Sequence, residues 1–220
     1  MTDNRRTFLA GAAGAAALAQ LGAAARAATV TRSGGDLTSR MTWFNEPASV
    51  TFPDGGVVAR SKPKTDFWRK TYYGYVTDNG HFLHLPVSGE FTFEARVSGK
   101  YASLYDQAGL MVRLDEKHWM KCGSEFFEHR RWASVVFTHD FSDWSTLDDL
   151  SQSTPVYWRV ARKKDSIEAQ CSTDGKTFLT VRQGYFPAAV EVKVGIMCAA
   201  PEGAGFEASF DRLRLESTPA

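Results

Sequence analysis

The stretch "QAGLMVRLDEKHWMKCGSEFF", Gln107–Phe127, decides how the chain folds. Successive side chains of a β-strand point to opposite faces. In the first half, Ala108, Leu110, Val112 and Leu114 therefore share one face, and Gln107, Gly109, Met111 and Arg113 share the other. In the second half, Met120, Cys122, Ser124 and Phe126 fall together, opposite Trp119, Lys121, Gly123 and Glu125. Both apolar rows must be buried, and a one-residue slip would expose an entire row. A turn over Asp115–His118 therefore sets the register of a hairpin. That register gathers Gln107, Arg113, Lys121 and Glu125 on one polar surface. Gly109 and Gly123 are expected to leave open space there, since glycine inside a strand often marks the close approach of a ligand. Arg, Lys and Glu in a row also suit a solvated outer face with weak ion pairs. Met, Trp and Gly are unusual on such a face and tilt the reading toward a site.

The same alternation recurs outward in both directions. Strands are predicted near 41–45, 48–52, 56–60, 67–69, 81–85, 90–98, 107–114 and 119–127. Others follow near 132–139, 156–163, 166–172, 177–184, 191–198 and 206–215. Turn signals separate them at Asp54-Gly55, Asn79-Gly80, Ser88-Gly89, Asp174-Gly175 and Glu202-Gly203. Past the N-terminal segment no stretch keeps a helical period. Many short strands at this spacing predict an all-β fold, a single-domain antiparallel sandwich or jelly roll of two sheets. A chain of 220 residues with 43% hydrophobic content can bury the core this needs.

Charge excludes some partners. The balance of 26 basic and 25 acidic residues gives +1, with no basic field to hold nucleic acid. The first 27 residues pair Arg5 with Arg6, continue through a weakly apolar Ala/Gly run and end at Ala25-Arg26-Ala27. This resembles a twin-arginine export signal with an A-x-A cleavage site, which implies a periplasmic or secreted protein. A retained anchor is the alternative, although the run is poor in Leu, Ile and Phe. Residues 28–40 read as a flexible leader before a domain spanning 41–216. No later run of 18 apolar residues exists, so no membrane contact is expected after cleavage.

Cys122, Cys171 and Cys198 make an odd set that cannot complete a disulfide framework. Cys122 and Cys198 sit in apolar company and read as buried thiols. Neither C-x-x-C nor H-E-x-x-H occurs, and His81 and His84, three apart on a strand, face oppositely. No metal and no cofactor is expected.

A second stretch, "TDFWRKTYYGYVTDNGHFLH" (65–84), is crowded with aromatic and polar residues and nearly free of aliphatics. Phe67 and Phe82 are expected to seal the sandwich, the remainder to line a groove. Together with "WFNEP", "YDQAGLMVRLDEKHWMKCGSEF", "SVVFTHDFSDWS" and "FDRLRLE" it resembles the family called domain of unknown function 1349, which includes a yeast regulation-of-enolase protein. The resemblance spans about Met41 to Glu216. It implies a concanavalin A-like lectin/glucanase jelly roll, many of whose members bind or cleave glycans on a concave sheet. The Glu-x-Asp-x-Glu strand pattern of the glucanases is missing. Glu125 and Glu128 are three apart and face oppositely.

The leading expectation is thus a carbohydrate-like ligand on the concave sheet. Trp68, Tyr73, Trp119 and Trp144 would stack on sugar rings, and Arg69, Gln107, Arg113 and Lys121 would bind polar groups. The Arg113/Lys121 pair suggests an anionic or oxidised sugar. If the protein is an enzyme, a glycoside hydrolase or polysaccharide lyase, then Glu125, Asp106 and His81 are its catalytic candidates. Lys121 and Arg113 are expected to hold Glu125 ionised, which disfavours a general acid. A regulatory protein-interaction module is the third reading.

Overall fold

The computed structural model describes residues 30–148, 155–188 and 190–218. The segment 1–27, read as an export signal, lies outside the described residues. The strands are β1 (Val30–Ser33), β2 (Thr42–Phe44), β3 (Ser49–Thr51), β4 (Val57–Arg60), β5 (Phe67–Arg69), β6 (Val76–Asp78), β7 (His81–Val87) and β8 (Glu90–Gly99). They continue as β9 (Gln107–Arg113), β10 (His118–Phe127), β11 (Arg130–His139), β12 (Phe141–Leu147) and β13 (Val156–Lys163). The last are β14 (Ser166–Ser172), β15 (Leu179–Tyr185), β16 (Val192–Ala199) and β17 (Glu207–Thr218). One short helix, α1 (Gly34–Thr38), follows β1.

Two large antiparallel sheets stack face to face. One runs β12-β11-β10-β9-β16-β7-β2; the other runs β15-β14-β13-β8-β17-β4-β3, with β1 also on β17. The hairpin register agrees with the alternation: Arg113 pairs with Trp119, Met111 with Lys121, Gly109 with Gly123 and Gln107 with Glu125. Leu110, Val112, Met120 and Cys122 thereby meet Phe93, Val97, Trp158 and Val160 between the sheets. Burying an aliphatic or Phe side chain of this kind stabilises by about 1.5–3 kcal/mol. All three cysteines are buried thiols. Burial raises the Cys122 thiol and lifts Cys198 to about 12.

Three expectations need correction. Residues 30–38 are not a loose leader: β1 pairs with the C-terminal half of β17, and Leu37 of α1 is fully buried. β4 covers the other half of that edge, so β1 completes the pairing of a 12-residue strand. Phe67 and Phe82 do not sit between the sheets. They belong to a second cluster, with Met111, Trp119, Val136 and Met197, on the outer face of the seven-stranded sheet. Gly109 and Gly123 leave no open space either. A Cβ at Gly109 would lie 1.9 Å from the Cys122 carbonyl oxygen, and one at Gly123 2.3 Å from that of Ala108. The glycines let two backbones approach, and that is their reason for being there.

Candidate functional site

The outer face of the seven-stranded sheet is divided in two. Across it lies the small β5–β6 hairpin, reaching from Phe44 of β2 to Ser142 of β12, in which Phe67 pairs with Asp78 and Arg69 with Val76. Polar clamps hold it down. Arg113 donates from Nη1 and Nη2 to the two oxygens of Asp78, each at 2.7 Å. Arg69 reaches Asp140 at 2.7 Å, and its backbone N–H donates to Ser142 Oγ. Asn45 donates to the carbonyls of Asp78 and Gly80. Beneath the hairpin Trp119 is 1% exposed, against Phe67 at 6.3 Å.

Beyond the hairpin the face opens into a cleft of about 160 Å³. Its floor carries Gln107, Lys121 and Glu125 from β9 and β10, with Val136 from β11. Lys121 Nζ donates to the Phe67 carbonyl at 2.8 Å and to Gln107 Oε1 at 2.7 Å, and pairs with Asp66 Oδ1 at 3.3 Å. Its three protons are therefore committed. Asp66 Oδ1 also accepts from Gln107 Nε2 and the Phe67 N–H.

Glu125 is 8% exposed. Its Oε2 accepts from Trp144 Nε1 at 3.1 Å, an N–H that also reaches Ser134 Oγ at 3.0 Å. Burial pushes the Glu125 carboxyl above its ordinary value. Lys121, Ser134 and Trp144 oppose that rise, and Asp66 adds to it. The expectation that neighbouring cations hold Glu125 ionised is thus corrected: desolvation outweighs Lys121, whose charge is shared with Asp66, and Arg113 is spent on Asp78.

Aromatic side chains wall the cleft. Trp68, fixed by donation from Nε1 to the Thr71 carbonyl, meets Tyr73 edge-on at 5.8 Å. Tyr73 stacks on Tyr75 at 5.4 Å, and its hydroxyl lies 3.5 Å from that of Tyr105. That hydrogen bond, with burial, lifts Tyr105 to about 12. Tyr72 and Tyr105 hold φ values of 62° and 63°. Side chains in this left-handed region are strained by about 1–3 kcal/mol, and such strain gathers at functional sites.

Of the sequence-derived candidates, Trp68, Tyr73, Gln107, Lys121, Glu125 and Trp144 come together here. Trp119, Arg113 and Arg69 do not: Trp119 is sealed under the hairpin, Arg113 is bonded to it, and Arg69, part of β5, is tied to Asp140. His81 and Asp106 are also structural. The His81 ring bonds the Asn45 carbonyl through Nδ1 at 2.8 Å and accepts the Lys62 N–H at Nε2, and burial lowers its pKa. Asp106 Oδ2 accepts the backbone N–H groups of Ala102 and Ser103, pinning the loop before β9. The sequence candidates did not include Asp66, Tyr75, Tyr105 or Glu202, all of which line the cleft. Their one sequence signal is position, since each lies within a quoted motif or turn: Asp66 and Tyr75 in 65–84, Tyr105 at the start of "YDQAGL", and Glu202 in Glu202-Gly203.

Residues 43–218 match the family described as a protein of unknown function, DUF1349. The chain belongs to that family. Regulation of enolase protein 1 of Saccharomyces cerevisiae is 41% identical over 177 residues, covering 80% of this chain and 89% of the relative. A functionally unknown protein from Saccharomyces cerevisiae has a solved structure that superposes with a TM-score of 0.79 at 40% identity, over 83% of this chain and 98% of that one. A Bauhinia forficata lectin in complex with GalNAc superposes at 0.55 and 7% identity, over 88% of this chain and all of the lectin. The lectin likeness establishes the jelly roll. The expected periplasmic or secreted location is overturned by the yeast relative, because twin-arginine signals are a bacterial device.

Proposed function

We propose that this protein binds a neutral carbohydrate-like ligand in the cleft beside the β5–β6 hairpin. One observation carries the reading: aromatic side chains wall a cleft whose floor is a buried, mutually bonded set of Asp66, Gln107 and Lys121, beside Glu125 held by Trp144. Sugar rings present C–H faces that pack on aromatics and hydroxyls that need fixed polar partners. Asp66 Oδ2 has no protein hydrogen bond among the described residues and is an available acceptor. The suggestion of an anionic sugar is withdrawn, since both cations that prompted it are neutralised inside the protein.

The fold of lectins agrees with this reading without establishing it. A protonated Glu125 would suit a general acid, so catalysis is tested together with binding. The relative's name, regulation of enolase, supports a regulatory protein contact as the second reading. The test is a glycan array followed by titration calorimetry on the wild type, Trp144→Ala and Glu125→Gln. Retention of an unchanged glycan, weakened at least tenfold by Trp144→Ala, supports a binder. Release of product, with Glu125→Gln trapping the substrate, would make the protein an enzyme. No glycan binding, together with a protein partner captured by wild type, would overturn the reading in favour of the regulatory one.

A further inference from the structure

The cleft does not end at its aromatic wall. Trp68, Tyr73 and Trp144 also form one side of a wider depression of about 640 Å³, whose remaining walls are Thr71, Tyr72 and Phe141–Asp143. A cavity near 150 Å³ accommodates a single six-membered ring such as benzene. The cleft, at about 160 Å³, is therefore sized for one ring, whereas the depression has room for several.

The partition between the two is held from both sides. Trp144 is tied to Glu125 and Ser134, and Trp68 to the Thr71 carbonyl. The depression has apolar faces placed for contact. Tyr72 is 93% exposed and Phe141 58%, and neither exposure is accidental in its backbone setting. The tip of the β5–β6 hairpin turns through left-handed residues, Lys70 at φ 59°, Tyr72 at 62° and Gly74 at 78°, and it is closed by the Lys70–Tyr75 and Gly74–Lys70 hydrogen bonds. This tight tip projects Tyr72 outward. Opposite it, Phe141 is braced by the Lys70 ammonium, 4.9 Å from the ring centre and itself paired with Asp140 at 2.6 Å. With Tyr73 at 47% and Trp144 at 40% exposure, Tyr72 and Phe141 line the same depression as one exposed aromatic patch, and such contiguous patches mark contact sites.

We propose that the cleft takes one sugar ring and that the depression carries the following units of the same chain. The ligand class is then a neutral oligosaccharide rather than a monosaccharide. This rests on the carbohydrate reading above and adds a direction to it, from the Glu125 floor out over Tyr72 and Phe141.

Titration calorimetry with gluco-, galacto-, manno- and xylo-oligomers of one to four units tests it, on wild type and on the Tyr72→Ala/Phe141→Ala double variant. Both side chains are exposed, so the variant folds, which circular dichroism checks. In a series that binds, wild-type affinity should rise on the order of tenfold between one and three units, the equivalent of one good stacking contact. The double variant should lose that rise while keeping the affinity for one unit within about twofold. Equal wild-type affinity for one and three units, or a rise that survives in the double variant, overturns the extended site and leaves the cleft reading standing. Failure of every series at every length overturns both.

Discussion

Two ends of one polar row meet different fates in this molecule. Arg113 and Trp119 lie at one end of the β9–β10 pair, and Gln107 and Glu125 at the other, all on the same face. The β5–β6 hairpin covers the first end, converting Trp119 into core and Arg113 into a clamp on Asp78. At the second end the chain passes by without closing, and the same kind of residues becomes the floor of an aromatic cleft. The difference does not lie in the strands. It lies in what is laid over them, and a short two-stranded element inserted between β4 and β7 decides which polar groups a ligand can reach.

The comparison can be broken first at its sealed end. Trp119→Ala removes a fully buried indole between the sheet and the hairpin, and large-to-small changes of this kind cost about 3–5 kcal/mol. Denaturant unfolding should show that loss; a change below about 1 kcal/mol would mean that the hairpin does not pack as described. Arg113→Met comes next. It strands the Asp78 carboxylate, whose side chain is 27% exposed, and should destabilise by about 1–3 kcal/mol. The hairpin also carries Trp68, Tyr73 and Tyr75, so ligand affinity should fall with stability although Arg113 touches no ligand. An unchanged affinity in folded Arg113→Met protein would separate clamp from cleft.

How much of this was written in the sequence follows the physics of each signal. A period-two pattern fixes faces, so Lys121, Gln107 and Glu125 were legible as neighbours before any coordinates. The pattern is silent on what covers a face. Trp119 and Arg113 obeyed the same alternation and were read as ligand contacts, yet the burying element comes from 40 residues earlier in the chain. β6, "VTD", was missed because three residues are too few to show a period, and β12, "FSDWSTL", because it carries one β-branched and one aliphatic residue among Ser and Asp. β1 and α1 were hidden by "SGG", which reads as a linker until Leu37 is seen buried. His81 and Asp106 looked like catalysts because side-chain-to-backbone hydrogen bonds leave no trace in a one-letter string. Asp66 escaped notice for the converse reason: beside a strand start an aspartate reads as a turn residue, and only the fold brings it to Lys121.

The open end is sharpened by the protonation of Glu125, where the expected effect is smallest but its sign is diagnostic. Burial raises this carboxyl above its ordinary value in the folded chain. The native state therefore holds a proton that the unfolded chain releases once the pH exceeds the usual carboxylate range near 4.5. Over that interval the folded state binds more protons than the unfolded one, so the stability associated with this group falls as pH rises, up to the folded pKa, and is constant beyond it. Glutamine keeps the acceptor for Trp144 Nε1 and carries no charge to desolvate. The melting temperature of Glu125→Gln relative to wild type should consequently increase between pH 4.5 and 7.5, with the gap closing on the acid side. The opposite slope, with wild type gaining on the variant as pH rises, would mean that Lys121 stabilises an ionised Glu125. The Lys121 charge, and not burial, would then set the proton affinity of this carboxyl.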